Sequence, residues 1–447
     1  MKNRASETVY ILILGMCVVL AESCVSTASA APLPVAQKTN TPGAAVEALL
    51  VRGGPGDLIK AKALLDQDAS LVETKKQAYR WLVMELARLV YPSISGAETT
   101  TFSFSPDDNL LKRFIDARNG ITSEVPETAS PLELVLSMTG VFRQRSSQVL
   151  AYAEGLVNRF KKLSVASVLV SLVEGIILET RNDNAGALPL YQASYGMDEQ
   201  CYPALYGSVR ILLALGQSSS AMELLDASVF EFKSSIEGKR YRALALFAQK
   251  RYAEADPLIV EVLKANSFDS VFLLMKAQIH IENGNYRDAT TLLNAYSKLN
   301  VPNAVYFYLQ ARIAEEFVRN SADAKSVLRG ALVQYPDDLD LRRYLAELLA
   351  KGSRDEQNEA LSYAQALLAR YPDDRQVLRI LLSLQISAKN FSAAQQYAER
   401  LLSLKTGFSD YELIIRAYRG GGKLDLAEKL TDRSEEHTSE LQSPNTI

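Results

Sequence analysis

Apolar residues recur along most of this chain at three- and four-residue spacing, the period of helices that bury one face. Ser326 to Gln334 and Leu361 to Arg370 are two such runs, rich in alanine and leucine, and each is stopped by a proline in the tetrapeptides Tyr335-Pro336-Asp337-Asp338 and Tyr371-Pro372-Asp373-Asp374. The two tetrapeptides lie 36 residues apart. A wider register holds as well. Small residues suited to close helix contact fall at Ala187, Ala221, Ala255, Ala289, Ala324, Ala360, Ala394 and Ala427, with successive spacings of 34, 34, 34, 35, 36, 34 and 33; Ala153 extends the series upstream by another 34. Two helices per period in the mid-thirties predict an all-α solenoid, which grows by adding units rather than cores.

The segments before the array have another pattern. Lys2 and Arg4, the apolar run Val9 to Leu20 and the small residues after it read as an export signal over residues 1–30. The run is short for a retained membrane span. Two exits stay open: cleavage after Ala28-Ser29-Ala30, or a loose lipobox Leu20-Ala21-Glu22-Ser23-Cys24 that makes Cys24 a lipidated first residue. The stretch rich in Ser, Thr, Ala and Pro that follows suits a tether over residues 31–41. Residues 42–129 are expected to form a helical N-terminal region, with helices over Pro42 to Arg52, Leu58 to Leu65, Val72 to Tyr91 and Asp108 to Asn119. The breaker Gly53-Gly54-Pro55-Gly56-Asp57 reads as a turn, because it lacks the Gly-Lys-Ser/Thr of a phosphate loop. Ser130-Pro131-Leu132-Glu133 is a strong helix start, with a serine cap, a first-turn proline and a glutamate placed to close a capping box.

Composition narrows the chemistry. The formal charge of −3 argues against a broad basic surface for nucleic acid. Of Cys17, Cys24 and Cys201, only Cys201 keeps a free thiol after export processing, and it reads as a packing residue at a helix boundary. His280 and His437 are the only histidines, so a zinc site with paired histidines has no basis, and no cofactor fingerprint is present. The Asp pairs after Pro336 and Pro372 read as helix caps rather than an acid/base couple.

The units Leu273, Ala277, His280, Gly284-Asn285-Tyr286, Ala289 and Tyr411, Ile414, Tyr418, Gly422, Leu424, Ala427 resemble the tetratricopeptide repeat, and the resemblance covers residues 130–432 in eight or nine units. It implies a right-handed helical solenoid with a degenerate helical N-terminal region, no enzymatic activity, and a groove lined by the first helix of each pair. Lys276 stands where the family has leucine, and Lys250 where it has the turn glycine. His280 occupies the position of a packing aromatic. If the family's inner-face positions carry over, Arg343, Arg379 and Arg416 project into the groove with Glu347 and Gln376 beside them, a set suited to a peptide carboxylate or acidic side chains. The asparagines of the chaperone-type carboxylate clamp are missing; Ser383 and Glu347 occupy such places.

The expected function is therefore a scaffold of the bacterial cell envelope, periplasmic or anchored through Cys24, that binds a protein or peptide. Two alternatives stand beside it: the recruiting arm of an enzyme whose catalytic domain follows in the native frame, or a lipoprotein accessory of outer-membrane or pilus-secretin assembly. The frame enters because residues 433–447 break the pattern, and Arg433 to Pro444 resembles a translated sequencing adapter. Setting that stretch aside removes one arginine, three glutamates and His437.

Overall fold

The computed structural model describes residues 43–67, 71–91, 125, 128–143, 147–163, 165–404 and 408–431. The expected export signal, Cys24, the tether, the helix over Asp108 to Asn119 and the segment 433–447 lie outside the described residues. Every element among the described residues is helical, with no strand. The described residues up to Arg251 form one compact unit and those from Tyr252 another.

In the first unit, α1 (Ala44–Arg52), α2 (Pro55–Gln67) and α3 (Glu73–Leu89) precede α4 (Pro131–Arg143) and α5 (Ser147–Lys162). The expected capping box is present: the Ser130 N–H donates to Glu133 Oε2 at 2.7 Å, and the Glu133 N–H to Ser130 Oγ at 3.4 Å. Helix pairs follow as α6 (Val168–Thr180) with α7 (Asn184–Met197) and α8 (Tyr202–Ala214) with α9 (Ser218–Ala227). A short α10 (Phe230–Ser234), which the periodicity does not reveal, occupies the slot before α11 (Ile236–Ala248). It seats Phe232 against Tyr202 and Tyr206, at ring separations of 5.2 and 5.5 Å.

The glycine-rich breaker is a turn at Gly53 and Gly54 only; Pro55, Gly56 and Asp57, expected in the turn, form the start of α2. Gly53 has φ +66° and caps α1, the Tyr91 hydroxyl donates to the Gly53 carbonyl at 2.8 Å, and the Gly56 N–H donates to the Asp198 carboxylate at 2.8 Å. Asp198 thus occupies the N-terminal end of α2 where a phosphate would otherwise sit. Cys201 lies nearby, fully buried at the start of α8 with its thiol pushed up to about 11, mainly by burial.

The second unit opens on α12 (Tyr252–Ala265). Pairs follow as α13 (Ser270–Glu282) with α14 (Tyr286–Leu299), α15 (Ala304–Glu316) with α16 (Ser321–Gln334), α17 (Leu339–Ala350) with α18 (Arg354–Arg370), and α19 (Arg375–Ser387) with α20 (Phe391–Ser403). The last described pair is α21 (Phe408–Gly420) with α22 (424–431).

Two local rules set the repeat. Five successive first helices, from α11 to α19, start on an acceptor side chain that takes the N–H three residues on: Ser235, Asp269, Asn303, Asp338 and Asp374 do this in turn. The Asp pairs are therefore caps at their second members, while Asp337 sits outside in ion pairs with Arg342 and Arg370. The second rule concerns the turn inside each pair. Asn182, Gly216, Lys250, Gly284, Arg319, Lys389 and Gly422 all have φ between +56° and +76°, and each lies five residues before a register alanine. Around Gly284, the Asn285 N–H reaches the His280 carbonyl at 2.7 Å and the Gly284 N–H reaches that of Ile281 at 3.0 Å, closing a Schellman turn. Only the Ala360 unit differs: α18 starts instead on a Ser353–Glu356 capping box.

Burial follows from this stacking. All eight register alanines and Ala153 are at most 1% exposed. Second helices bury one narrow stripe, such as Ala394, Ala398 and Leu401 on α20, whereas first helices bury most of their circumference, as Val377, Leu378, Ile380, Leu381, Leu382 and Leu384 show on α19. What a first helix leaves uncovered is one stripe, and the candidate site is made of such stripes.

Candidate functional site

On α17 the partly exposed stripe holds Asp340, Arg343, Tyr344 and Glu347; on α19 it holds Gln376, Arg379 and Ser383. The residue steps of three and four place each set on one side of its helix. Between the stripes and α21 opens a cleft of about 330 Å³ lined by Glu347, Ala350, Lys351, Gln376, Arg379, Ile380, Ser383 and Leu413. Three residues singled out in the sequence, Glu347, Gln376 and Arg379, therefore meet in one cavity.

The other two go elsewhere. Arg343 is only 14% exposed and is spent on ion pairs: it takes Asp340 at 2.8 Å and closes on Asp374, the buried cap of α19. Arg416 is exposed on α21 and does not line the cleft.

Arg379 repeats the geometry of Arg343 one unit later. Its Nε lies 3.3 Å from Asp410, a fully buried carboxylate that Arg375 also holds through its Nε at 2.6 Å. Two guanidiniums on one carboxylate give this triad a net positive charge, directed along the cleft's α19 wall. The acid side is Glu347, half exposed and paired with Lys351 at 2.9 Å. Exposed pairs of this kind contribute about 0–1 kcal/mol, so Glu347 is cheap to redirect toward a ligand. Ile380, Ala350 and Leu413 supply the apolar lining, and the Gln376 amide and Ser383 hydroxyl can both donate and accept. Such a cavity lies at the small end of ligand-site volumes.

Sequence reasoning missed Lys351, Ile380, Leu413 and Asp410. A signal for Asp410 existed: it stands 36 residues after Asp374, which stands 36 after Asp338, although the preceding Tyr-Pro is lost.

A second cleft, of about 430 Å³, is lined by α12, α13 and α14, through Val260, Leu263, Lys264, Lys276, His280, Asp288, Thr291 and Leu292. Here Lys276 pairs with Asp256. His280 is one-fifth exposed, with Nδ1 3.9 Å from Asp288. Burial, and then the Lys276 charge, hold the His280 pKa below its ordinary value. The packing aromatic's place is thus taken by a half-packed imidazole.

Among the described residues no three His, Cys, Asp or Glu side chains come together to hold a metal, and no helix is long and apolar enough to cross a membrane.

The sequence model of the tetratricopeptide repeat matches residues 246–313. No curated protein matches the chain. Among solved structures, the chain is similar to a tetratricopeptide repeat protein from Parabacteroides merdae, at 14% identity over 55% of this chain and 97% of that one with a TM-score of 0.44. It is also similar to PilW, a type IV pilus biogenesis factor, at 15% identity over 46% and 94% with a TM-score of 0.39. Yeast Tom70 gives 12% identity over 87% and 84% with a TM-score of 0.41. The matched segment carries tetratricopeptide-type repeats, and capped helix pairs with a buried alanine register recur on either side of it.

Proposed function

We propose that this protein is a non-enzymatic scaffold of the bacterial cell envelope that holds a protein or peptide segment in the cleft between α17, α19 and α21. Stacked helix pairs offer an extended surface for protein contact, which is what this fold provides in general. The observation that carries the finer reading is the convergence of Glu347, Gln376 and Arg379 around the apolar wall of Ile380 and Leu413. An extended segment laid there meets an amide able to pair with its backbone, an apolar seat for one side chain, and opposite charges at either rim. The envelope location rests on the N-terminal pattern of Lys2, Arg4 and the apolar run before Cys24.

A photo-crosslinking amino acid placed at Gln376, with the same group at exposed Gln365 on α18 as the control, tests the cleft in the native compartment. A discrete adduct from position 376 alone supports it. Equal labelling from both positions, or none from 376, overturns it. Anchoring is tested separately by palmitate labelling: label that survives Cys24→Ala excludes Cys24 as the lipid site.

A further inference from the structure

Next to that cleft, on the face shared by α15 and α17, lies a feature of different chemistry. The rings of Tyr308 and Tyr344 meet at 5.3 Å between centroids, tilted by 58°. Tyr308 and Arg312 share one side of α15 with Glu315 and Glu316, one and two turns apart. Around the ring pair the charges are predominantly negative. Asp340, Glu282 and Glu347 act on the Tyr308 hydroxyl, and Glu316 and Glu315 on that of Tyr344.

The cations at hand are already shared out. Arg312 reaches Glu316 through Nε at 2.6 Å and also takes Glu282. Arg343 divides its charge between Asp340 and the buried Asp374. Five carboxylates therefore face one guanidinium, part of another and the Lys351 ammonium that holds Glu347. One carboxylate oxygen, Glu315 Oε2, is buried with no hydrogen-bond partner among the described residues. The phenols stay neutral: burial pushes Tyr308 up to about 12, with the neighbouring acids adding to it. Neutral rings with a carboxylate surround attract a cation by quadrupole and charge together, and repel an anion.

We propose that the Tyr308–Tyr344 pair, with Asp340 and Glu347, is a subsite for a lysine or arginine side chain of the segment held in the neighbouring cleft. The proposal rests on the peptide-binding reading above, and Glu347 joins the two, since it lines the cleft beside Gln376 and Arg379 and also acts on Tyr308. A bound segment then runs with its basic residue over α15 and α17 and continues toward Arg379 on α19. The spacing along the ligand is thereby set: a basic residue at a fixed distance from an apolar one.

Panning a randomised dodecapeptide display library against the full chain tests this. Enriched peptides should carry a lysine or arginine at one fixed distance from an apolar residue. Replacing that basic residue by glutamine should weaken binding about tenfold. The Asp340→Asn variant, at a position about half exposed and outside the cleft lining, should lose most of that factor for the basic peptide and nothing for its glutamine counterpart. Tyr344→Leu should reproduce the loss. Enriched peptides that compete at position 376 yet lack a basic residue, or whose affinity ignores the Asp340 change, overturn the subsite while sparing the cleft. Failure to enrich any peptide that competes there overturns both.

Discussion

Replacing Arg343 with methionine should loosen the α17–α19 junction more than any exposed charge change in the array. Arg343 is 14% exposed and its partner Asp374 only 5%, so the substitution strands a carboxylate in a site with little water. Breaking a buried pair on one side costs about 3–5 kcal/mol. The lower end applies here, because Asp374 keeps the Val377 N–H at 3.0 Å and the positive end of the α19 dipole. Asp374→Asn should cost less, about 1–2 kcal/mol, since an asparagine oxygen still caps the helix. The double variant buries no charge and should cost no more than Asp374→Asn alone, leaving a coupling energy of about 3 kcal/mol.

Repeat arrays do not unfold in one step, and the single tryptophan, Trp81, lies in the other unit. Amide hydrogen exchange resolved by peptide is therefore the assay. A loss of about 3 kcal/mol corresponds to exchange roughly 150-fold faster in peptides from α17 to α20, with peptides from α1 to α3 unchanged. Acceleration below about threefold, or additive effects in the double variant, would show that the pair behaves like an exposed one and refute the burial argument.

Four further outcomes are expected. Lys250→Gly, Arg319→Gly and Lys389→Gly, each at a left-handed turn, should each stabilise by about 0.5–1 kcal/mol in urea titrations, while Gly284→Val should cost about 1–2 kcal/mol. Gly207→Ala should destabilise by about 1–3 kcal/mol through overpacking, because a Cβ there would stand 2.6 Å from the Tyr191 ring; Tyr191→Leu in the same chain should recover part of it. His280, whose pKa is lowered in the fold, binds its proton more readily unfolded, so its contribution is complete above its ordinary pKa of 6.5 and is lost as pH falls below it. His280→Phe should flatten that acid-side slope in a pH series of midpoints. Finally, Ser353→Ala, which removes the cap of α18, should cost about 1 kcal/mol by the same titration.

The fold was legible because its determinants are local and repeat. An alanine every 34 residues or so, a capping side chain at Asp338 or Asp374 and a glycine at 284 each act within one helical turn of themselves, so period and element type follow from short windows of sequence. The site was half legible for the opposite reason. Spacing placed Glu347, Gln376 and Arg379 on uncovered stripes, but whether an arginine there faces a ligand depends on which acid the next repeat brings to it. Arg343 meets Asp374, 31 residues on, and Arg379 meets Asp410 at the same interval. Counted from the cap of each first helix, the equivalent of these arginines one unit later is Ile415, and one unit earlier Tyr308. The arginine ladder is therefore two rungs long, and it ends where the cleft begins.

Turn chemistry sharpens what sets the period. The Tyr-Pro-Asp-Asp tetrapeptides look like its markers, yet they occur in two junctions only. The left-handed residue five positions before the alanine occurs in seven, with lysine, arginine or asparagine in four of them. A non-glycine residue there carries a local cost of about 1 kcal/mol, and the chain bears it because that turn fixes where the alanine lands. Moving the left-handed position by one residue would rotate the second helix by about 100° and take Ala255 or Ala394 out of the contact that keeps it buried. Lys250 and Lys389 are thus tolerated at a conformational cost that the close helix approach offsets, and the repeat persists where the glycine does not.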